Sequence, residues 1–286
     1  MKPANGARTL VTSSFIVLAL MVILSACGGA TTHATLSTSV AHTSLPAPVN
    51  CQGCWHPALK TSWQLQFQGA INPALHVNMY DVDMVDTPAS VVASLHRAGS
   101  VVICYIDAGT WENWRPDASQ FPGAVKGNSV GGWPTEKWLD IRQITVLGPM
   151  IRARLDLCKA KGFDGVDFDN VDGYTNTSGF PLAASDQANY NVFLANEAHT
   201  RGLAVGLKND LDQIPTLVPY FDWVLDEQCF QYKECNTLLP FIQANKPVME
   251  VEYNLKTSAF CRQANAMNFN SMRKHLSLNA YLSACR

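Results

Sequence analysis

Short apolar runs rich in Val, Ile, Phe and Tyr recur along this chain and alternate with stretches of helical character. That alternation constrains the fold more than any other feature. TSWQLQFQ (61–68) opens the series, and LHVNMYDVD (75–83), SVVICYIDAG (100–109) and FDGVDFDN (163–170) follow. LAVGLKND (203–210), DWVLDEQ (222–228) and KPVMEVEYN (246–254) continue it, with a weaker run near Ser271–Leu276. Helical patterns lie between, around 88–98, 146–161 and 183–202, the last with Asp186 near its start and Gly202 as a stop signal. Strands that alternate with helices predict a parallel sheet. Seven or eight such units in roughly 230 residues predict a single α/β domain, a (β/α)8 TIM-type barrel. An open doubly wound sheet is the alternative, but no GxGxxG or P-loop supports a nucleotide site.

The ends of the chain read differently. Lys2 and Arg8 precede an apolar stretch, FIVLALMVIL (15–24), and Leu-Ser-Ala-Cys follows at 24–27. Residues 1–26 are therefore expected to be a secretory signal, too short and wrongly flanked to be read first as a membrane span. The LSAC tetrapeptide resembles a bacterial lipobox, which makes Cys27 the expected lipidated residue and a lipid anchor the only membrane attachment. Ordinary cleavage near Ala26 is the alternative. Residues 27–52 are Thr/Ser/Ala/Pro-rich and read as a flexible tether, with the barrel domain over 53–286. An exported protein, at the cell surface or secreted, is expected.

Composition narrows the partners. Twenty-one basic and 23 acidic residues leave a net charge of −2, and loss of Lys2 and Arg8 with the signal takes it to −4. That mild acidity argues against nucleic acid, which needs a basic face. Beyond Cys27 stand eight cysteines, an even number that favours disulfides in an exported chain. Cys51-Gln-Gly-Cys54 reads as structural, because no second CxxC or HxxxH completes a zinc site, and Cys229–Cys235 is a plausible local clip. Spacing does not assign the other pairs. A monomer is expected.

The stretch GFDGVDFDNVDGY (162–174) poses the functional question, since four aspartates sit there without a lysine or arginine. Unpaired carboxylates in a buried strand cost several kcal/mol. Nearly every other strand candidate also ends in acid: Asp81 and Asp83, Asp107, Asp210, Asp226 and Glu227, Glu250 and Glu252. In a parallel barrel all strand C-termini open on one face, so these carboxylates are expected to converge on one solvated mouth. Trp111, Trp114, Tyr174, Phe230 and Tyr253 on the same loops suit a carbohydrate. Converging negative charge suits a cationic one in particular.

Alternation along the strand turns Asp167 and Asp169 the same way, with Asp169 nearer the mouth. Asp167 lies a layer deeper, where a structural role as partner of Lys208 is the simpler reading. Asp169 and Glu227, on non-adjacent strands, form a candidate pair for cleaving a sugar acetal, which needs one carboxyl to protonate the leaving oxygen and one to attack or activate water. Asp169's charge is expected to raise the pKa of Glu227 and keep its proton in place. Competing chemistries have weaker support: there is no HExxH and no GxSxG, and DFDNVD lacks the full calcium-loop spacing. No metal or cofactor is expected.

Five ordered blocks carry a resemblance. CYIDAGTWENWRPD (104–117), KGFDGVDFDNVDGY (161–174), GLKND (206–210), WVLDEQCFQYKEC (223–235) and KPVMEVEYN (246–254) together resemble glycoside hydrolase family 114. The resemblance implies a (β/α)8 barrel with endo-α-1,4-polygalactosaminidase activity on galactosamine polymers, including partly deacetylated, cationic ones. It also implies a retaining mechanism with Asp169 as nucleophile and Glu227 as acid/base. Substrate contacts are expected from Asp81, Tyr105, Asp107, Trp111, Glu112, Arg115, Asp167, Lys208, Glu252 and Tyr253. Asp107 departs from the serine expected there, and Arg115 between Glu112 and Asp117 reads equally as a structural ion pair. A non-catalytic polysaccharide-binding lipoprotein on the same barrel is the alternative function.

Overall fold

The computed structural model describes residues 44–286, so the signal peptide, Cys27 and most of the tether lie outside the described residues. The chain first lays down three strands and a helix: β1 (Trp63–Gln66), β2 (Met79–Asp83), α1 (Ala89–Arg97) and β3 (Val101–Asp107). An insertion follows, with β4 (Thr110–Glu112), β5 (Lys126–Val130) and β6 (Trp133–Leu139), which form a separate antiparallel sheet in the order β4-β6-β5. Strand and helix then alternate through α2 (Ile144–Lys161), β7 (Gly165–Asp169), α3 (Ala184–Thr200), β8 (Ala204–Lys208) and the single-turn α4 (Ile214–Leu217). The last units are β9 (Trp223–Glu227), α5 (Cys229–Tyr232), α6 (Leu239–Gln243), β10 (Val248–Glu252), α7 (Thr257–Ala266), β11 (Asn270–Arg273) and β12 (Ser283–Ala284).

Eight of these strands pair in parallel in the order β1-β2-β3-β7-β8-β9-β10-β11, and β12 adds antiparallel to β11. A flat sheet of eight strands would hold its outer members roughly 33 Å apart at ~4.7 Å per strand. Here the Trp63 indole of β1 donates to the Asn270 carbonyl of β11 at 2.8 Å, and Lys274 just beyond β11 donates to Gln64 at 2.7 Å. The parallel sheet is therefore curled until its edges meet through side chains.

Period-two alternation explains why the strands are apolar almost throughout. Val102, Cys104 and Ile106 of β3 face the helices, where Leu147, Ile151 and Leu155 of α2 and Val192 and Leu194 of α3 complete one core. Ile103 joins Trp63, Met79, Trp223, Leu225, Met249 and Met272 in a second core inside the curl. Both faces are buried, as a parallel sheet requires. No helix of the described residues is long and apolar enough to cross a membrane.

The stretch read as tether ends earlier than expected. The Val49 amide donates to Asn196 of α3 at 2.9 Å, and Tyr220 donates to the Pro46 carbonyl at 2.8 Å. Residues 46–49 therefore dock on the domain.

All eight cysteines after Cys27 are bonded, as Cys51–Cys54, Cys104–Cys158, Cys229–Cys235 and Cys261–Cys285. Cys104–Cys158 joins β3 to α2 across 54 residues of chain, and both cysteines are fully buried. Loop closure of that length removes about 4 kcal/mol of unfolded-state entropy on the simple chain model. Replacing both cysteines with alanine is expected to lower stability by that order in urea denaturation, while the single-turn clip Cys229–Cys235 costs less. A loss under about 1 kcal/mol for the Cys104–Cys158 variant would show that the bond is not closed in solution.

Candidate active site

Three neighbouring strands deliver the central groups, and each makes its exit in the same way. Asp169 ends β7, Lys208 ends β8 and Glu227 ends β9. The residue after each is left-handed: Asn170 at φ 59°, Asn209 at φ 49° and Gln228 at φ 67°. This conformation is uncommon outside glycine and turns the chain sharply, so that the last strand residue stays aimed inward while the loop departs. Two local contacts fix the turn after β7. Backbone amides of Ala108 and Gly109 donate to the Asp169 carbonyl at 3.2 and 3.1 Å, and a Cβ on Gly109 would lie 1.6 Å from the Asn170 carbonyl oxygen. Only glycine permits that approach.

Lys208 bridges the two carboxylates. Its Nζ donates to Asp169 Oδ1 at 2.7 Å and to Glu227 Oε2 at 3.1 Å. Each carboxylate has a second, phenolic donor: Tyr105 to Asp169 Oδ2 at 2.8 Å, and Tyr253 to Glu227 Oε1 in a short bond. Burial pushes the Asp169 carboxyl up, but the Lys208 ammonium and the Tyr105 hydroxyl outweigh it and hold the group well below the usual carboxylate range. Burial likewise raises Glu227, and Lys208 with the Tyr253 hydroxyl brings it down to about 2. The expectation that Asp169 would lift Glu227 is thus corrected. The negative neighbour is present, yet the ammonium between them dominates. Both carboxyls are therefore ionised at neutrality.

The pair faces a cavity of about 310 Å³, whose lining includes Asp83, Tyr105, Glu112, Arg115, Glu136, Asp169, Glu227 and Tyr253. Phe67, Trp114, Trp133 and Leu276 add apolar surface to that lining. Trp114 and Trp133 are 51% and 42% exposed, so their rings stand open to solvent beside charged groups. A second cavity of about 560 Å³ shares Phe67, Gln68, Asp83 and Asp86 with the first and extends the cleft. Among the described residues, no group of three or more His, Cys, Asp or Glu side chains is placed to hold a metal ion.

The expected acids do not all reach this mouth. Asp81 and Asp167 point into the curl below it and are fully buried, and they do not line the cavity. Asp107 is buried too, accepting from the Thr110 amide and from Asn170 at 2.8 Å, which shapes the β3–β4 turn. Asp226 and Glu250 alternate to the other face, where they are buried. Glu252 accepts from the Phe230 and Gln231 amides at 2.9 and 3.0 Å and caps the start of α5. The converging mouth is therefore narrower than strand-end acidity implied, because adjacent residues of one strand face opposite sides.

The other expected contacts divide in the same way. Arg115 lines the cavity but is held by Asp83 at 2.7 Å and Glu112 at 2.5 Å, while Asp117 pairs with Arg154 at 2.7 Å. Trp111 is turned away, its indole donating to the Ala118 carbonyl at 2.9 Å under the Lys126 ammonium. Phe230 stacks on Phe260 in the outer core. Lys208 is buried beneath the pair and does not line the cavity. Glu136 and Trp133 went unread in the sequence because the antiparallel insertion lacks the strand–helix pattern that located the other groups.

Asp167 supplies a test of depth. Burial raises it to about 7, against the opposing pull of Lys208. A carboxyl whose folded pKa is raised contributes stability that is full below its unfolded value near 3.8, runs down as pH climbs and is gone above about 7. Asparagine mimics the protonated form at every pH. Asp167→Asn is therefore expected to match the parent's melting temperature near pH 4 and to exceed it by several degrees at pH 8. A variant that is less stable than the parent at pH 8 would show that the fold does not raise Asp167 above its ordinary carboxylate range.

Comparison with known proteins agrees with this geometry. The sequence profile of glycoside hydrolase family GH114 matches residues 44–286. A crystal structure of Aspergillus fumigatus Ega3 in complex with galactosamine is 38% identical, with a TM-score of 0.79, and the match covers 83% of this chain and 99% of that one. The glycoside hydrolase domain of PelA from Pseudomonas aeruginosa, at 12% identity and a TM-score of 0.63, covers 78% of this chain and 98% of that domain and shares the fold. No curated protein sequence matches the chain. With the profile spanning the described domain and an Ega3-like structure aligned over most of it, this chain belongs to glycoside hydrolase family GH114.

Proposed function

We propose that this protein is an exported, retaining endo-acting hydrolase of α-1,4-linked galactosamine polymers, built as a closed (β/α)8 barrel. A signal peptide over 1–26 and lipidation at Cys27 would place it at the cell surface as a monomer behind a short tether. The observation that carries the reading is the Asp169–Lys208–Glu227 bridge at the floor of an aromatic-rimmed cleft. Two oxygens at 2.7 and 3.1 Å from one nitrogen lie no more than roughly 6 Å apart. That separation fits a retaining pair, near 5–5.5 Å, and falls short of the ~6.5–9.5 Å that inversion needs to admit water.

In this mechanism Asp169, kept ionised by Lys208 and Tyr105, attacks the anomeric carbon, and the covalent glycosyl-enzyme forms as the leaving oxygen takes a proton from Glu227. Glu227 takes that proton from solvent as the sugar enters, with Lys208 staying beneath the pair and the glycosidic oxygen offering an acceptor on the cavity side. It then returns as base for the water that releases the product. Ega3 was crystallised with galactosamine, which supports the aminosugar assignment, and two adjoining cavities give a polymer room beyond a single sugar.

Product analysis on a partly deacetylated α-1,4-galactosamine polymer tests the reading. Oligomers of several lengths are expected early, with the α-anomer formed first. Rates should fall as salt rises, because a Debye length of ~10 Å at 0.1 M screens the acidic cleft from a cationic chain. Absence of new reducing ends, or release of the β-anomer first, would overturn it.

A further inference from the structure

We propose that Lys274 is a positioning residue for the cleft: its buried side chain ties the loop over residues 274–282 to β1, and so holds Leu276, Ser277 and Leu278 as a fixed wall against the bound polymer. This inference rests on the hydrolase reading above. The loop joins β11 to β12 and has no strand or helix of its own. Three of its residues, Leu276, Ser277 and Leu278, line the central cavity together with the catalytic pair. Lys274 begins the loop and is fully buried. Its Nζ donates to Gln64 Oε1 of β1 at 2.7 Å and to the Asn279 carbonyl at 2.8 Å. The Gln64 side-chain amide in turn donates to the Ala280 carbonyl at 3.3 Å.

Two features show that this tie does more than close the sheet. Among the described residues no carboxylate pairs with the Lys274 ammonium, and burial pushes it down to about 8, which leaves it mostly charged at neutrality. A methionine of similar length would fill the same place without that desolvation, so packing alone does not call for a cation there. Leu278, for its part, sits at φ 47°, a left-handed conformation that a bulky side chain rarely adopts. Such a conformation persists only where its neighbours over-determine it. Here the Leu278 carbonyl accepts from the Phe67 and Gln68 amides at 2.9 and 3.2 Å, and the next carbonyl, that of Asn279, accepts from Lys274. The ammonium therefore locks the turn that presents Leu278 to the cleft. Phe67 also packs on Tyr105 at 4.2 Å between ring centroids, but Tyr105 belongs to β3 and is paired on both sides by β2 and β7. Its bond to Asp169, and with it the chemistry, does not depend on the loop.

The test compares Lys274→Met with the parent on the partly deacetylated α-1,4-galactosamine polymer, with urea midpoints to check that the variant is folded. The expected result is a KM raised at least about fivefold and a kcat changed by less than about twofold, the pattern of lost binding without lost chemistry. Hydrogen exchange should show the Phe67 and Gln68 amides exchanging at least about tenfold faster in the variant, while the amides of β7 keep their protection. Gln64→Leu removes the acceptor on β1 and is expected to shift KM and exchange in the same direction; it decides the matter if Lys274→Met does not fold. An unchanged KM in a folded variant, or a fall in kcat at unchanged KM, would overturn the proposal while leaving the hydrolase reading intact. A parent that does not cleave the polymer overturns the hydrolase reading and this inference with it.

Discussion

Asp169→Asn is expected to lower kcat by about four orders of magnitude or more, because it removes the proposed nucleophile of the covalent step. Glu227→Gln should cost about 10²- to 10⁴-fold, the usual contribution of a positioned acid. Each substitution leaves Lys208 one of its two carboxylates, so both variants should stay folded and bind polymer. Leaving groups separate the roles. An oligomer with an activated leaving group needs little protonation, so it should rescue Glu227→Gln in part and Asp169→Asn not at all. The reverse pattern would exchange the two roles. Loss of turnover in a folded Asp167→Asn protein, with Asp169→Asn active, would move the nucleophile one layer deeper than the cleft geometry allows.

Lys208→Met is expected to be the most destabilising single change in the site, by about 3–5 kcal/mol at pH 7, since it leaves two buried carboxylates facing each other without the ammonium. The sign of the pH dependence follows from Glu227. A carboxyl held down at about 2 from its ordinary 4.5 contributes stability that is full above about 4.5 and is lost as pH falls through 2. The gap between parent and Lys208→Met should therefore be widest at neutral pH and narrow steadily below 4.5, as read from urea midpoints. The variant should also move the acid limb of the kcat/KM profile upward, because each carboxyl then feels the other's charge and not the lysine's. A pH-independent stability difference would mean that Lys208 serves packing and not charge.

Much of the architecture follows from local pattern. Period-two runs of Val, Ile and Phe and helical spacing between them place the eight parallel strands within a few residues of where they lie, from Trp63–Gln66 to Asn270–Arg273. Asp169 and Glu227 were legible for the same reason, as acids at the ends of apolar runs whose neighbours had to leave the sheet. The adjacent Cys229–Cys235 clip was legible because six residues of separation bring its ends together without help from the fold.

Pairings across the chain were not legible. The bonds Cys104–Cys158 and Cys261–Cys285 depend on which helix covers which strand, and spacing carries no such information. The same limit applies to the acids. Asp226 and Glu227 are adjacent and chemically alike, but one faces the buried outer side and the other the cleft, and register between strands decides which. The sequence suggests Asp167 as the partner of Lys208, but with β8 set between β7 and β9 its ammonium bonds Asp169 and Glu227. Glu136 becomes part of the site only when the antiparallel insertion lays β6 against β4 opposite Glu112. Periodicity and residue type act over a few positions along the chain and so determine the elements and the candidate acids. Charge balance and the shape of the cleft arise between elements far apart in sequence, where burial and distance set each group's ionisation, and only the tertiary structure decides them.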